Sequence, residues 1–116
     1  MGVVYHSNYL IWMEVGRVEL FRAAGLRYRD FERDTGLQLA VVEANCRYLS
    51  PARYDDEVIV RASLREAGTR VILIGYEIRQ AETSEAVAEG FTKHIFLGKD
   101  GRPKKLPEEW RGVFGA

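Results

Sequence analysis

One histidine directly precedes the longest helix-forming stretch of the sequence, and this placement could do chemistry. The segment Gly2 to Tyr9 delivers His6 and backbone N–H groups to the start of that stretch. The first turn of a helix has N–H groups without partners and carries the positive end of the helix dipole. Such a turn can bind an anion or stabilise the oxyanion of an attacked carbonyl. The alternative interpretation is an ordinary helix start.

The other side chains that could carry chemistry give weaker signals. His94 lies within a strand pattern, where a hydrogen-bonded structural histidine is the simpler role. Cys46 lies on the apolar face of its strand, where a free cysteine usually packs. Two histidines and one cysteine do not supply a zinc site, so we expect no metal.

Three cations, Arg102, Lys104 and Lys105, follow the last strand pattern. Clustered cations favour phosphate, so these side chains could contact the phosphates of a ligand. They could equally form a solvated tail, because the segment from 102 to 116 holds two prolines and is expected to be mostly irregular.

A long helix must position the histidine segment. No proline interrupts residues 9–24, Ser7 or Asn8 could cap the start, and Gly25 supplies a left-handed stop. The apolar side chains recur at helical spacing and extend well beyond one stripe, which is typical of a buried helix. They are Leu10, Ile11, Trp12, Met13, Val15, Val18, Leu20, Phe21 and Ala24.

Strand patterns dominate the rest of the chain, after a polar stretch at 28–35 that could form a short helical turn ended by Gly36. Apolar residues alternate over 42–48 and 58–65, and Val, Ile and Tyr are frequent over 70–81 and 87–97. Hairpin-length connections imply antiparallel neighbours. The order predicts an α+β fold in which a curved antiparallel β-sheet wraps around one long central α-helix.

Composition narrows the classes of function. The 116 residues have 47% hydrophobic and 29% charged side chains with no break, so we expect one domain over 1–116. The formal net charge is zero, which argues against a nucleic-acid partner. A domain of this size buries only about two-thirds of its unfolded surface, and association between subunits would bury more.

The cysteine count and the hydropathy of the sequence indicate in which compartment the protein resides. The single Cys46 cannot form an intrachain disulfide, which fits a reducing environment. No stretch approaches the roughly 20 apolar residues of a membrane span, and no signal peptide is apparent at the start. We therefore expect a cytoplasmic protein without membrane insertion.

The stretch Gly2-Val3-Val4-Tyr5-His6-Ser7-Asn8-Tyr9-Leu10, followed by Trp12-Met13-Glu14, resembles the 4-hydroxybenzoyl-CoA thioesterase-like family. It is most similar to the branch of short-chain acyl-CoA thioesterases found with Tol-Pal genes. Tyr48-Leu49-Ser50-Pro51 and Asp100-Gly101-Arg102-Pro103 support the resemblance. It implies a hotdog fold, hydrolysis of acyl-CoA without a metal or cofactor, and a homodimer or homotetramer with sites between subunits.

The resemblance also implies roles for individual residues. The backbone N–H groups near Tyr5 and His6 would polarise the thioester carbonyl, and His6 would bind the carbonyl or help orient the attacking group. Val4 and Tyr9 would line the substrate pocket. With coenzyme A as the ligand, Arg102, Lys104 and Lys105 could contact its phosphates, and the solvated tail remains the equal alternative.

One departure from the family motif concerns its catalytic carboxylate. The family's Asp would fall two residues before Met1, and the family's first strand would precede it. Some hotdog enzymes use a carboxylate on the central helix, so Glu14 is a candidate substitute. Its alternative role is an ion pair with Arg17, three residues away, as for Glu19 with Arg22.

Two hypotheses of different class follow. The first is an enzyme that hydrolyses acyl-CoA to a free acid and coenzyme A. The second is a non-catalytic hotdog module that binds acyl-CoA or serves as an assembly subunit, and the displaced Asp favours it. Hydration or dehydration of acyl thioesters on the same fold is a third, less favoured by the first motif.

Overall fold

The computed structural model describes residues 6–53 and 55–112, and it describes residues 6 and 7 by their backbone only. Two helices precede one sheet. Helix α1 spans His6–Ala23 and helix α2 spans Tyr28–Thr35. The strands are β1 (Gln38–Tyr48), β2 (Val58–Ala67), β3 (Val71–Gln80), β4 (Ala86–Leu97) and the short β5 (Pro103–Lys104), before a 3₁₀ turn at Glu108–Trp110.

The sheet is antiparallel throughout the described strands, in the order β1-β4-β3-β2, with β5 paired to the end of β4. A bulge between Val41 and Glu43 interrupts the pairing of β1 with β4. The predicted α+β class and antiparallel arrangement are confirmed. The strand positions agree within a few residues, although β1 begins earlier than its alternating pattern, at Gln38.

Both helices end as predicted. Gly25 at φ 86° follows α1, and the Leu26 N–H donates to the Phe21 carbonyl at 2.9 Å. Gly36 at φ 70° ends α2, and its N–H donates to the Glu32 carbonyl. Glycine adopts the left-handed conformation at this position with the least steric strain, because it lacks a Cβ. The predicted start was wrong: α1 has already begun at His6, so Ser7 and Asn8 are helical residues.

Helix α1 packs on one face of the sheet, and two clusters of apolar side chains form the contact between them. The smaller cluster lies at the start of α1 and contains Tyr9, Ala52, Ile78, Val87 and Ala88. The larger one extends to α2 and the C-terminal segment. Its buried members are Met13, Phe21, Leu26, Phe31, Leu37, Ile72, Ile74, Tyr76, Phe96 and Leu106.

The expectation of a helix buried on all sides was wrong for the single chain. Tyr9, Met13 and Phe21 are buried against the sheet. The opposite apolar face, formed by Leu10, Ile11, Val15 and Val18, is exposed, with relative accessibilities of 46–55%. The sheet has one layer in the described chain, so it covers only the helix face that packs on it.

Phe21 connects α1 to the larger cluster and provides a test of this packing. We expect Phe21→Ala to lower the free energy of unfolding by about 3–5 kcal/mol, because the buried ring leaves a cavity. Denaturant unfolding measures the change. Ile59→Ala, at an exposed strand position, is the control and should shift stability by less than about 1 kcal/mol. Equal losses in both variants would contradict this arrangement.

Candidate functional site

The start of α1 is held against the ends of two strands by aromatic packing. The Tyr9 ring is 2% exposed and makes edge contacts with Trp12 and Tyr48, at centroid distances of 5.1 and 4.9 Å. Tyr9 also packs in the smaller cluster with Val87 and Ala88. The first turn of α1 therefore lies beside the end of β1 and the start of β4.

Three of the predicted site residues precede or begin α1 in the sequence. Val4 and Tyr5 are outside the described residues, and so is the side chain of His6, whose backbone begins α1. The predicted roles of these three residues stay predictions. Tyr9 lies in the core and does not line the cavity described below, so its predicted contact with substrate has no open surface in the single chain.

A cavity lies farther along α1 and has a volume of about 660 Å³. Helix α1, the turn that leads to α2, the first turn of α2, and β1 form its walls. Two of the sequence-predicted residues of interest, Glu14 and Arg17, line it together. The lining residues are Glu14, Arg17, Val18, Phe21, Arg22, Leu26, Arg27, Tyr28, Arg29 and Leu39.

Glu14 and Arg17 do not form the ion pair that their spacing suggested. The Arg17 guanidinium instead donates from Nη1 to the Tyr76 hydroxyl at 3.1 Å. The other predicted pair is confirmed, because Arg22 Nη1 lies 2.8 Å from Glu19 Oε1. Glu14 is exposed and is the carboxylate among the residues lining the cavity. Its catalytic role remains a prediction.

A buried chain of hydrogen bonds supports Arg17 from behind. The Tyr76 hydroxyl lies 2.7 Å from Thr92 Oγ1, and Thr92 Oγ1 lies 2.7 Å from His94 Nε2. Tyr76 on β3 and both Thr92 and His94 on β4 are buried. Sequence reasoning missed this chain, because its members come from three elements. The alternation along β4, which places Thr92 and His94 on one face, was the available signal.

His94 is a structural histidine, as expected from its strand position. Its side chain is fully buried, and within the described chain its Nδ1 has no hydrogen-bond partner. Burial lowers the pKa of His94 to about 4, and the positive charge of Arg17 acts in the same direction. The imidazole is therefore neutral at pH 7, which spares the core an uncompensated charge.

The predicted basic tail lies far from the start of α1. Lys104 pairs in register with Phe96, whereas Tyr9 packs near Ala88, eight residues earlier on β4. At about 3.3 Å per residue the separation is roughly 26 Å. Arg102, Lys104 and Lys105 are exposed, and Lys104 Nζ pairs with Asp100 at 3.2 Å. None of these three cations is among the residues that line the cavity.

Sequence reasoning also missed the cations that do line the cavity. Arg22, Arg27 and Arg29 join Arg17 there: two of the four belong to α1, Arg27 to the connection and Arg29 to the first turn of α2. In the sequence they read as polar residues around a helix end. Only the turn at Gly25, which folds α2 back toward β1, brings them to one opening.

Cys46 is a free thiol that packs partly against both clusters, and burial raises its pKa. Within residues 6–53 and 55–112, no group of three His, Cys, Asp or Glu side chains is arranged to hold a metal ion. In the same ranges neither helix combines the length and apolar character needed to cross a membrane.

The depressed pKa of His94 predicts a dependence of stability on pH. In the unfolded chain His94 takes up a proton near pH 6.5, whereas the folded site resists protonation until about pH 4. The contribution of His94 to the free energy of unfolding is therefore fully present above pH 6.5. It falls by roughly 2–4 kcal/mol as the pH drops toward 4. His94→Gln, which does not titrate, should show a flatter profile in denaturant unfolding. Parallel profiles for the two proteins would refute this assignment.

Comparison with known proteins places the chain in a family. Residues 1–87 match the thioesterase superfamily. The Bacillus subtilis protein named "Putative acyl-CoA thioesterase YneP" is 34% identical over 100 residues, which is 86% of this chain and 71% of that protein. The crystal structure of the hypothetical protein TT1821 from Thermus thermophilus has a TM-score of 0.89 at 33% identity, covering 99% of this chain and 86% of the other.

A second solved structure, the DHNA-CoA thioesterase from Staphylococcus aureus, has a TM-score of 0.91 at 28% identity. It covers 99% of this chain and 78% of the other. The fold of the described residues is thus the fold of known thioesterases, which confirms the hotdog assignment. The chain belongs to the thioesterase superfamily.

Proposed function

We propose that this protein hydrolyses acyl-CoA thioesters to a free acid and coenzyme A. One observation carries the proposal: in a chain of this superfamily, α1 begins at His6, within the motif that resembles the oxyanion segment of acyl-CoA thioesterases. Relatives named as acyl-CoA and DHNA-CoA thioesterases support the substrate class. The motif further favours the Tol-Pal-associated short-chain branch, which we propose as the nearest relationship.

The chemistry at the start of α1 follows from its backbone. The N–H groups of the first helical turn lack intrahelical acceptors, so they can donate to the thioester oxygen as it gains negative charge. A neutral histidine at position 6 can donate to the same oxygen or orient the attacking water. Attack breaks the C–S bond, and coenzyme A leaves as the thiolate. We propose that no metal or further cofactor takes part.

The distance along α1 limits what Glu14 can do in this reaction. Glu14 follows His6 by eight residues, which corresponds to about 12 Å along the helix axis. Within one chain the two residues would not contact the same carbonyl group. We therefore propose that a carboxylate acts as the general base beside His6. It is either the family's Asp, expected from the resemblance two positions ahead of Met1, or Glu14 of a second subunit.

The exposed apolar surface supports an oligomer. Helix α1 exposes Leu10, Ile11, Val15 and Val18, and β1 exposes Val41 and Val42 next to its free edge. Among the described strands only β4 pairs with β1. A long exposed edge with apolar side chains is a surface that proteins normally cover. We propose a homodimer or homotetramer of this single domain, 1–116, in the cytoplasm, where the free thiol of Cys46 would stay reduced.

Sedimentation tests the assembly. At micromolar concentration we expect a species at least twice the 13.3 kDa chain mass, because association covers the apolar face of α1. Ile11→Asp should shift the distribution toward monomer, while Arg70→Asp, on the exposed hairpin between β2 and β3, should not. A wild-type protein that sediments as a monomer would rule out the proposed oligomer.

The His6→Ala variant tests the reaction. In the natural protein, with any residues that precede Met1, we expect this change to reduce acyl-CoA turnover by about 10²–10³-fold, the usual loss for one oxyanion donor. The thermal midpoint and the binding of a non-hydrolysable acyl-CoA analogue should be retained, because the backbone donors remain.

The matched variant is Glu14→Gln, which removes a carboxylate without changing side-chain size. A large loss of turnover in Glu14→Gln with normal turnover in His6→Ala would move the reaction to the cavity and refute the role of His6. Wild-type protein that binds acyl-CoA without hydrolysing it would instead support the non-catalytic module.

A further inference from the structure

The Arg17 side chain is anchored inside the protein but has no carboxylate to neutralise it. Its Nη1 donates to the Tyr76 hydroxyl, which is held in turn by Thr92 and His94. Among the described residues no carboxylate lies within ion-pair distance of Arg17. A guanidinium has five donors in a rigid fork, so one bond to a hydroxyl leaves most of them available to a ligand.

The cavity wall has a local excess of positive charge. Four arginines, Arg17, Arg22, Arg27 and Arg29, face one carboxylate, Glu14, although the whole chain has a formal net charge of zero. Arg22 pairs with Glu19, while Arg27 and Arg29 have no ion pair within the described part of the chain. Cations held close together repel one another, and an anionic ligand would remove that repulsion.

The charges are distributed unevenly along the cavity. Glu14 lies at the end nearer the start of α1, and Arg22 lies eight residues, about 12 Å, farther along the helix. Arg27 and Arg29 lie beyond the turn at Gly25. An elongated ligand would therefore place its uncharged part near Glu14 and its anionic part at the arginine end.

The arginine end also offers flat and apolar surface. Phe21 and Leu26 are buried beneath it, and Tyr28 is 39% exposed with its hydroxyl accepting from the Leu39 N–H at 3.0 Å. A tyrosine ring fixed at its hydroxyl and nearby guanidinium groups are surfaces on which an aromatic base can stack. The volume of about 660 Å³ is in the range of small-molecule sites.

We propose that this arginine cavity binds the phosphate-bearing nucleotide end of coenzyme A. The inference rests on the proposed function, which places the thioester at the start of α1. Arg17 is eleven residues from His6, about 16 Å along the axis, so the pantetheine arm would run beside α1 between the two. The arginine cavity, rather than the tail at Arg102, Lys104 and Lys105, is then the phosphate site.

Steady-state kinetics with two thioesters of the same acyl group tests the proposal. One is acyl-CoA, and the other is the S-acyl-N-acetylcysteamine, which lacks the nucleotide and its phosphates. For Arg27→Gln/Arg29→Gln we expect the KM for acyl-CoA to rise at least about 10-fold with little change in kcat, because two charge-assisted contacts are lost. The kcat/KM for the truncated thioester should stay unchanged.

Two further double variants carry the same change of charge. Arg61→Gln/Arg70→Gln removes exposed arginines on and beside β2 and should alter neither substrate. Arg102→Gln/Lys105→Gln tests the tail, and a rise in the KM for acyl-CoA there, with none in the cavity variant, would overturn the proposal. Equal effects of the cavity variant on both thioesters would also overturn it.

Calorimetry with adenosine 3′,5′-bisphosphate separates this proposal from the proposed function. If the wild-type protein hydrolyses neither thioester, the proposed function fails, but the cavity can still be tested by direct binding. Binding to wild type that is lost in Arg27→Gln/Arg29→Gln supports the nucleotide site. Absence of binding to the wild-type protein, or binding equal in both, contradicts it.

Discussion

The close approach of α1 to the sheet is the constraint on which the other features depend. A Cβ at Gly16 would lie 2.9 Å from Val60 Cγ1, and one at Gly90 would lie 2.9 Å from Met13 Cε and collide with the Asn45 carbonyl. Two glycines therefore allow the helix and the strands to pack without a gap. Because α1 lies so close to the sheet, Nη1 of Arg17 reaches the Tyr76 hydroxyl on β3.

This packing joins the core to the cavity wall. A buried hydroxyl, a threonine and a histidine would each be costly in an apolar core without partners. Together they satisfy most of one another's hydrogen-bonding groups, and they end at the guanidinium of Arg17, which lines the cavity. The neutral state of His94 fits this chain, since a second positive charge behind Arg17 would be unfavourable.

The same packing accounts for the exposed apolar face of α1. One sheet layer covers one helix face, and Leu10, Ile11, Val15 and Val18 are left on the other. The helix start, the arginine cavity and this apolar face all lie on the part of α1 that the sheet does not cover. Association of subunits and binding of substrate therefore involve neighbouring surfaces of one helix, which agrees with a site that is completed between subunits.

The sequence by itself determined the two helices with their C-terminal ends and the four long strands. Local signals were enough for this: glycines at 25 and 36 that accept left-handed backbone, helical spacing of apolar residues, and alternation with hairpin turns in the strands. It also predicted the family and the His6 segment, because that motif is contiguous. The pairing of Arg22 with Glu19 followed from spacing alone, as both lie on one exposed helix face.

Only the tertiary structure decided which cations share a cavity and which partner each one takes. Arg17 bonds to Tyr76, 59 positions away, instead of to Glu14, because packing of α1 on the sheet outweighs a weak exposed ion pair. The basic tail is remote from the start of α1 because β4 carries it to the opposite end of the sheet. Contacts between distant segments depend on how whole elements pack, and spacing along the chain does not encode them.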